Sequence, residues 1–154
     1  MVRKVSRQRG FTLLELVLSM GLVGILAGFS IPIYQSFQVR NDLDIEVGVV
    51  TVNLRRAELL SQAVSRDVPG VSVAWGVKVL SDSVTLFNGQ SFATRDPSLD
   101  EVFNLPSSVT PSGLTEFLFL KWSGIPQTIG SLTLTSITNE SRVVSINAKG
   151  LVSY

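Results

Sequence analysis

A run of 24 uncharged residues, 16–39, constrains the fold of this chain more than any other feature. Its first fourteen residues, 16–29, are almost wholly apolar or small. A helix of about 20 apolar residues crosses the hydrocarbon core of a bilayer, so the run predicts a transmembrane helix at about 14–34. The mean hydropathy of +0.36, with only 16% charged residues, also indicates a membrane-resident segment.

Four basic residues and no acidic residue occur in the first ten positions; they are Arg3, Lys4, Arg7 and Arg9. Without them the chain has nine basic and twelve acidic residues, so the remainder is mildly acidic. Positive charge before a membrane span favours a cytoplasmic N-terminus, which predicts that the C-terminal domain is extracytoplasmic. An acidic remainder also argues against a nucleic-acid-binding body.

Two simpler interpretations of a basic start and an apolar run are a secretory signal peptide and a single-pass anchor. Glu15, near the start of the run, argues against the signal peptide, as does the length of the run. A carboxylate well inside a bilayer costs about 2.5–3.5 kcal/mol, so it usually has a partner or a role. Close to the membrane edge the cost is smaller, and a tolerated outlier stays open as an alternative.

The residues around Glu15 resemble the type IV prepilin cleavage motif. After the basic leader comes Gly10-Phe11-Thr12-Leu13-Leu14-Glu15, with Glu as the fifth residue after the Gly. Pro32 stands where this family commonly has a proline that bends the helix. The motif is short, but its combination with a leader, an apolar run and a proline is highly specific.

This resemblance implies that residues 1–10 are a leader, which a prepilin peptidase removes by cutting between Gly10 and Phe11. A small residue at the cut fits that chemistry, because glycine lets a backbone come close to the peptidase's carboxylates. The resemblance further implies N-methylation of Phe11. It also implies that Glu15 pairs with the N-terminal amine of a neighbouring subunit during assembly, which gives two buried charges each other as partners.

Apolar residues continue at three- and four-residue steps after the uncharged run, at Leu43, Val47, Val50, Leu54, Ala57, Leu60 and Val64. This spacing forms one apolar stripe on a helix, and the charged residues fall largely off it. Pro32 predicts a kink rather than an end, whereas Asp67-Val68-Pro69-Gly70 predicts a stop. We therefore expect one long helix over 11–66, amphipathic at about 40–66.

The remainder of the chain, 71–154, predicts a β-rich globular domain. Alternation and turn signals predict strands at 71–80, 84–87, 91–94, 114–122, 131–137, 142–147 and 151–154. Asn88-Gly89 is a strong hairpin signal, and 95–113 predicts a long irregular connection. Gly76 predicts a bulge or bend, and Trp75 a core residue. The fold class is α+β, with the long helix packed against an antiparallel sheet or two small sheets, and the resemblance implies the pilin fold.

The chain has neither Cys nor His, which removes disulfides, thiolate metal sites and the commonest general base. Asp96, Asp100 and Glu101 form an acidic cluster in the sequence, and their Pro- and Ser-rich surroundings favour a solvated loop over a site. No metal-ligand spacing and no nucleotide motif is present. The sequence therefore predicts no enzyme activity, no cofactor and no metal site.

Within pilin-like proteins, the C-terminal region is most similar to the H-type minor pseudopilins of type II secretion and related minor pilins. The resemblance is carried by Leu54-Arg55-Arg56-Ala57, Val73-Ala74-Trp75-Gly76-Val77, and Val144-Ser145-Ile146-Asn147 with Gly150. It implies a structural subunit, a minor pilin or pseudopilin, of a type IV pilus-like or type II secretion filament assembled by helix packing. Type II secretion, type IV pilus and competence filaments stay open as alternatives.

The implied partners are other pilin or pseudopilin subunits, the prepilin peptidase, an inner-membrane assembly platform and the lipid bilayer. The implied location is the bacterial inner membrane in a single pass, followed by the filament. The alternative function is a DNA-binding or surface-binding minor pilin. Some relatives bind DNA through basic residues in a C-terminal segment that here, at 149–154, holds one lysine, so nucleic acid is not an expected partner. A position of Arg142 and Lys149 on one face of the domain would favour nucleic-acid binding.

Overall fold

The computed structural model describes residues 10–63 and 74–154, apart from the side chains of 29–33. The chain divides into two compact units, Met1–Phe37 and Gln38–Tyr154. One α-helix, α1 (Leu13–Ala63), begins in the first unit and ends in the second. Within the residues that the structure describes, no helical stretch meets the length and apolarity that a bilayer crossing requires.

Helix α1 lies inside the predicted range of 11–66. It begins where Thr12 can cap it, because the Thr12 Oγ1 accepts a hydrogen bond of 3.2 Å from the backbone N–H of Glu15. The stop predicted at 67–70 and the last stripe residue, Val64, lie outside the described residues, as do the four leader charges. The kink at Pro32 stays a prediction, since it falls among the side chains that are not described.

In the described residues after the helix, 74–154, eight strands form two four-stranded antiparallel sheets. They are β1 (Ala74–Val79), β2 (Ser83–Asn88), β3 (Glu101–Asn104), β4 (Val109–Gly113), β5 (Glu116–Leu120), β6 (Gly130–Ser136), β7 (Ser141–Ile146) and β8 (Val152–Ser153). The first sheet has the order β3-β2-β1-β5 and the second the order β4-β6-β7-β8. The predicted α+β class, a long N-terminal helix packed against antiparallel sheet, is confirmed.

The apolar stripe of α1 packs against both sheets in one core. The side chains of Leu43, Val47, Val50, Leu54 and Ala57 are all buried, and they share a cluster with Val77 of the first sheet and Leu132 of the second. Leu60 is partly buried against the same cluster. The predicted stripe is therefore confirmed from Leu43 to Ala57, which is the part that holds the domain together.

The hairpin predicted at Asn88-Gly89 is wrong. Strands β1 and β2 are joined instead by a tight turn at 80–83, in which the Leu80 N–H donates to the Ser83 carbonyl at 2.7 Å. Asn88 is buried at the end of β2, and the chain then folds back so that the Asp96 N–H donates to the Asn88 carbonyl at 3.0 Å. Two short 3-10 helices, Phe92–Thr94 and Pro97–Leu99, replace the strand expected at 91–94.

The irregular connection predicted at 95–113 is also wrong in part, because it contains β3 and β4. Pro111 lies within β4, which pairs only with β6 among the strands, so the missing N–H falls in an edge strand where proline is tolerated. The apolar segment at 114–122 contains β5, which is an edge strand rather than the central one expected. An isolated bridge between Phe119 and Pro126 covers part of that edge.

Gly76 causes no bulge, since its pairing with Phe87 on β2 and Leu118 on β5 continues the register of its neighbours. The glycine is instead required by close packing. A Cβ at this position would lie 2.5 Å from the Phe87 Cζ and 2.6 Å from the Phe117 carbonyl oxygen. Trp75 packs partly buried against the core, as the sequence predicts.

The substitution Gly76→Ala should lower the free energy of unfolding by about 1–3 kcal/mol, because the added methyl group overpacks a core with a backbone oxygen beside it. The matched change Gly48→Ala lies in α1, where nothing stands within 4 Å of the new Cβ. It should raise stability by about 0.5–1 kcal/mol. Denaturant unfolding of the detergent-solubilised chain, followed by tryptophan fluorescence, measures the change in the free energy of unfolding for both variants. Changes of the same sign would contradict the packing described.

The substitution Leu54→Ala should cost about 2–5 kcal/mol, because the side chain is 0% exposed and its loss leaves a cavity between helix and sheets. Leu59→Ala makes the same chemical change on the same helix at a side chain that is 63% exposed. It should change stability by less than about 0.5 kcal/mol. The same unfolding assay compares them, and similar losses at both positions would mean that the stripe does not define the core.

Candidate processing and assembly site

The predicted cut site lies just before α1 in open surroundings. Gly10 is exposed and non-helical, and nothing lies within 4 Å of the position that a Cβ would occupy. Phe11 is 79% exposed. The peptide bond between them therefore precedes the first helical residue, Leu13, in a segment that a peptidase can approach.

Glu15 lies in the first turn of α1, three residues after Thr12. This is the spacing of a capping box, and the Thr12 hydroxyl accepts from the Glu15 N–H while the Thr12 carbonyl accepts from the Leu16 N–H at 3.1 Å. A carboxylate at this place also faces the positive end of the helix dipole. Thr followed three residues later by Glu is a sequence signal for a helix start. Glu15 therefore has a local role in the capped first turn, besides the assembly role that the motif resemblance implies.

The first turns of α1 expose apolar side chains over most of their surface, apart from the face with Glu15 and Ser19. Leu13, Leu14, Leu16, Val17 and Leu18 are all exposed although they follow one another around the helix. The hydroxyl of Ser19 donates to the carbonyl of Glu15 at 2.8 Å, so the polar group in this stretch is satisfied by its own helix. An exposed apolar surface of this kind is typical of a site of contact with a membrane or with another protein.

Comparison with known proteins finds the same segment. Residues 5–31 match the family described as the prokaryotic N-terminal methylation motif. Over 100 residues the chain is 31% identical to the type IV major fimbrial protein FimA of Dichelobacter nodosus (strain VCS1703A). The chain is thus similar to type IV fimbrial proteins, and its N-terminal segment matches the methylation motif. A second FimA from Dichelobacter nodosus matches this chain with the same identity.

The alignment with these relatives covers 64% of this chain and 46% of each fimbrial protein. The chain therefore spans about half the length of the curated relatives that it matches. No solved structure matches it significantly. The matched motif contains Gly10, Phe11 and Glu15, so the family resemblance and the exposed start of α1 coincide.

The acidic cluster is structural. The Asp100 Oδ2 accepts from the Arg95 Nε at 2.7 Å, and Glu101 pairs with Arg56 at the same distance. The Asp96 carboxylate accepts from the hydroxyl and backbone N–H of Ser98, and these hydrogen bonds lower the pKa of Asp96. The three carboxylates therefore have separate partners. Across the described residues no group of three or more acidic side chains could hold a metal ion.

The basic residues Arg142 and Lys149 do not lie together. The Arg142 Nε bonds the Asp44 carboxylate at 3.1 Å, whereas Lys149 lines a groove with Arg55 of α1. Asp44 and Arg55 are eleven residues apart, which is about 16 Å along a helix. The arrangement that would have favoured nucleic-acid binding is absent from this part of the domain.

Glu46 is a feature that the sequence analysis missed. It was expected to fall largely off the stripe, yet it is only 6% exposed. Burial, and secondarily the carboxylate of Asp42 one turn earlier, raise the pKa of Glu46. Its Oε2 is buried without a hydrogen-bond partner in the described structure. The four-residue spacing of two acidic residues on one helix face was the available signal.

The pH dependence of stability should reveal this group. Because its folded pKa exceeds the unfolded value, Glu46 binds more protons when folded, and stability falls as pH rises from the unfolded pKa through the folded one. The variant Glu46→Gln should lack that fall and be more stable at neutral pH by about 1–3 kcal/mol, since no unpaired carboxylate is buried. Unfolding curves across this pH range make the measurement.

The matched control is Glu140→Gln, which removes a carboxylate that pairs with Arg40 in a solvent-accessible position. It should change stability by less than about 1 kcal/mol and leave the pH profile between neutral and mildly acidic conditions close to that of the original chain. Parallel profiles for the original chain and Glu46→Gln would contradict the assignment.

Proposed function

We propose that the chain is a structural subunit of a type IV pilus-like or type II secretion filament, with no enzymatic role. A prepilin peptidase cuts between Gly10 and Phe11, and Phe11 is then N-methylated. The supporting observation is that the methylation motif at 5–31 coincides with an exposed Gly10–Phe11 bond and with a capped, apolar helix start.

Glu15 acts as the assembly residue in this proposal. Cleavage leaves a positively charged amine on Phe11 beside the N-terminus of α1, where the helix dipole disfavours positive charge. A carboxylate from a neighbouring copy of the helix offsets that charge in an environment of low dielectric. The pair sets the stagger between subunits, because each of its members is costly to bury without the other.

Helix packing supplies the remaining stability of the filament. The exposed apolar side chains of the first turns are covered by lipid before assembly and by other subunits' helices afterwards. The N-terminus is cytoplasmic before cleavage, because the leader carries Arg3, Lys4, Arg7 and Arg9, and the β domain lies outside. An inner-membrane platform drives insertion of the subunit into the filament.

Within the pilin-like proteins, we place this chain among the minor subunits of the H-type pseudopilin kind. The sequence similarity late in α1, on β1 and along β7 supports that choice. An α1 stripe and two small sheets packed in one core provide a domain that needs no disulfide.

The variant Glu15→Leu should be cut and methylated normally but fail to enter filaments, because the amine of Phe11 loses its partner. Shearing the filaments from cells and immunoblotting the sheared fraction measures incorporation, and mass spectrometry reports the loss of the leader and the added methyl group. Incorporation should drop by about tenfold or more, equivalent to about 1.4 kcal/mol.

Two further variants make this experiment specific. Ser19→Ala changes an exposed residue one turn later on α1 and should assemble normally, since its hydroxyl bonds only its own helix. Gly10→Val should keep the leader and so identify a processing defect. Filaments that incorporate Glu15→Leu as well as Ser19→Ala would remove the role assigned to Glu15.

A further inference from the structure

The basic residues of the β-rich unit are divided between paired and unpaired ones. Of the eight described in the unit Gln38–Tyr154, five form ion pairs, namely Arg40, Arg56, Lys78, Arg95 and Arg142. In the described structure, the other three, Arg55, Lys121 and Lys149, have no carboxylate within 4.0 Å. Two of these three, Arg55 and Lys149, line the same surface groove.

This groove, which we call the α1–β8 groove, is formed by Arg55, Glu58 and Leu59 of α1 and by residues 149–152. Its volume is about 510 Å³, and its lining is mainly apolar. Leu151 is 65% exposed in it. A volume of this size is within the range of clefts that hold a ligand or a peptide segment. The groove thus combines uncovered apolar surface with two unpaired cations.

The turn beside the groove is built for close approach to the helix. Gly150 has a φ of +81°, and a Cβ there would lie 3.3 Å from the Glu58 Oε1. The Asn147 side chain accepts from the backbone N–H groups of Lys149 and Leu151, at 2.9 and 3.0 Å. These bonds fix the backbone on which Lys149 stands, so the cation is held at the groove by a defined turn.

An acidic side chain without an ion pair in the described structure lies at the other end of the same domain, on the turn that joins β1 and β2 at 80–83. Asp82 is exposed, and among the described residues its carboxylate accepts only from the hydroxyl of the adjacent Ser83, at 2.9 Å. Its carbonyl accepts from the Leu105 N–H at 2.7 Å. The nearby Ser108 hydroxyl bonds the Asp42 carboxylate at 3.1 Å. Asp42 and Arg55 are thirteen residues apart on α1, about 20 Å along the axis.

We propose that the β1–β2 turn of one copy of this chain docks in the α1–β8 groove of the next copy. The Asp82 carboxylate then meets Arg55 and Lys149. This inference rests on the proposed filament role, and it adds a contact between β domains to the packing of the helices. The two surfaces differ, so the contact is heterologous and generates an open chain of copies rather than a closed dimer.

Charge complementarity favours a second copy over nucleic acid as the occupant. The groove contains Glu58 beside its cations, and the chain after the leader has more acidic than basic residues. A phosphate backbone is bound by arrays of cations without intervening carboxylates. A short turn with one carboxylate matches two cations on an apolar floor.

Cysteine cross-linking tests the contact cleanly, because the chain has no Cys of its own. The full chain with Ser81→Cys and Leu151→Cys, assembled in membranes and mildly oxidised, should give a ladder of covalent multimers. A disulfide needs Cα atoms within about 7 Å, so the two positions at opposite ends of one domain cannot bridge within a copy. Each single-cysteine chain should give at most dimers.

Charge reversal then tests the proposed pairing. Lys149→Glu in the double-cysteine chain should reduce the ladder by about tenfold, equivalent to about 1.4 kcal/mol. Adding Asp82→Lys should restore it, since the charges again attract. Lys121→Glu is the matched control at a lysine outside the groove that lies over the Trp122 ring and forms no ion pair in the described structure, and it should leave the ladder unchanged. Tryptophan fluorescence verifies that each variant is folded.

Filaments that form normally while the double-cysteine chain gives no ladder would overturn the docking contact and leave the filament role intact. Normal assembly of Glu15→Leu would instead count only against the role of Glu15 in the filament. Loss of the ladder in Lys149→Glu without recovery on adding Asp82→Lys would also overturn the pairing. A salt-sensitive mobility shift of DNA that Lys149→Glu abolishes would assign the groove to nucleic acid and overturn the proposal.

Discussion

The burial of one face of α1 against two separate sheets is the interaction on which the rest of the domain depends. Leu43, Val50 and Leu54 are covered by side chains from both sheets, so neither sheet has a complete core without the helix. Each sheet has only four strands, and a small sheet needs packing on one face to be stable. The helix therefore completes the core of the domain, and this packing in turn fixes the second half of the helix.

The features of this packing that could be predicted from the sequence are those that depend on nearby residues. Helical periodicity over twenty residues is a strong local signal, and the stripe from Leu43 to Ala57 is buried as expected. The motif around Gly10 and Glu15 is likewise local, and it coincides with a family match at 5–31. The apolar face of α1 could therefore be predicted from nearby residues alone, whereas the leader stays a prediction.

The errors arose where tertiary contacts overrule local preference. Asn88-Gly89 is a good turn, but the chain there packs back onto Arg95, and the hairpin forms at 80–83 instead. Strand β4 contains a proline and was excluded for that reason, although an edge position needs no N–H at every residue. Glu46 is buried by the residues that pack against α1. Which residues pack there depends on the strand order, and no single segment of the sequence determines that order.

The position of the Thr12 cap has a consequence for the proposed removal of the leader. The first backbone hydrogen bond of α1 that the structure describes runs from the Leu16 N–H to the Thr12 carbonyl, and the capping hydroxyl belongs to the same residue. Both groups lie on the C-terminal side of the Gly10–Phe11 bond. Removal of a leader there, as proposed, would therefore break none of the described helical hydrogen bonds.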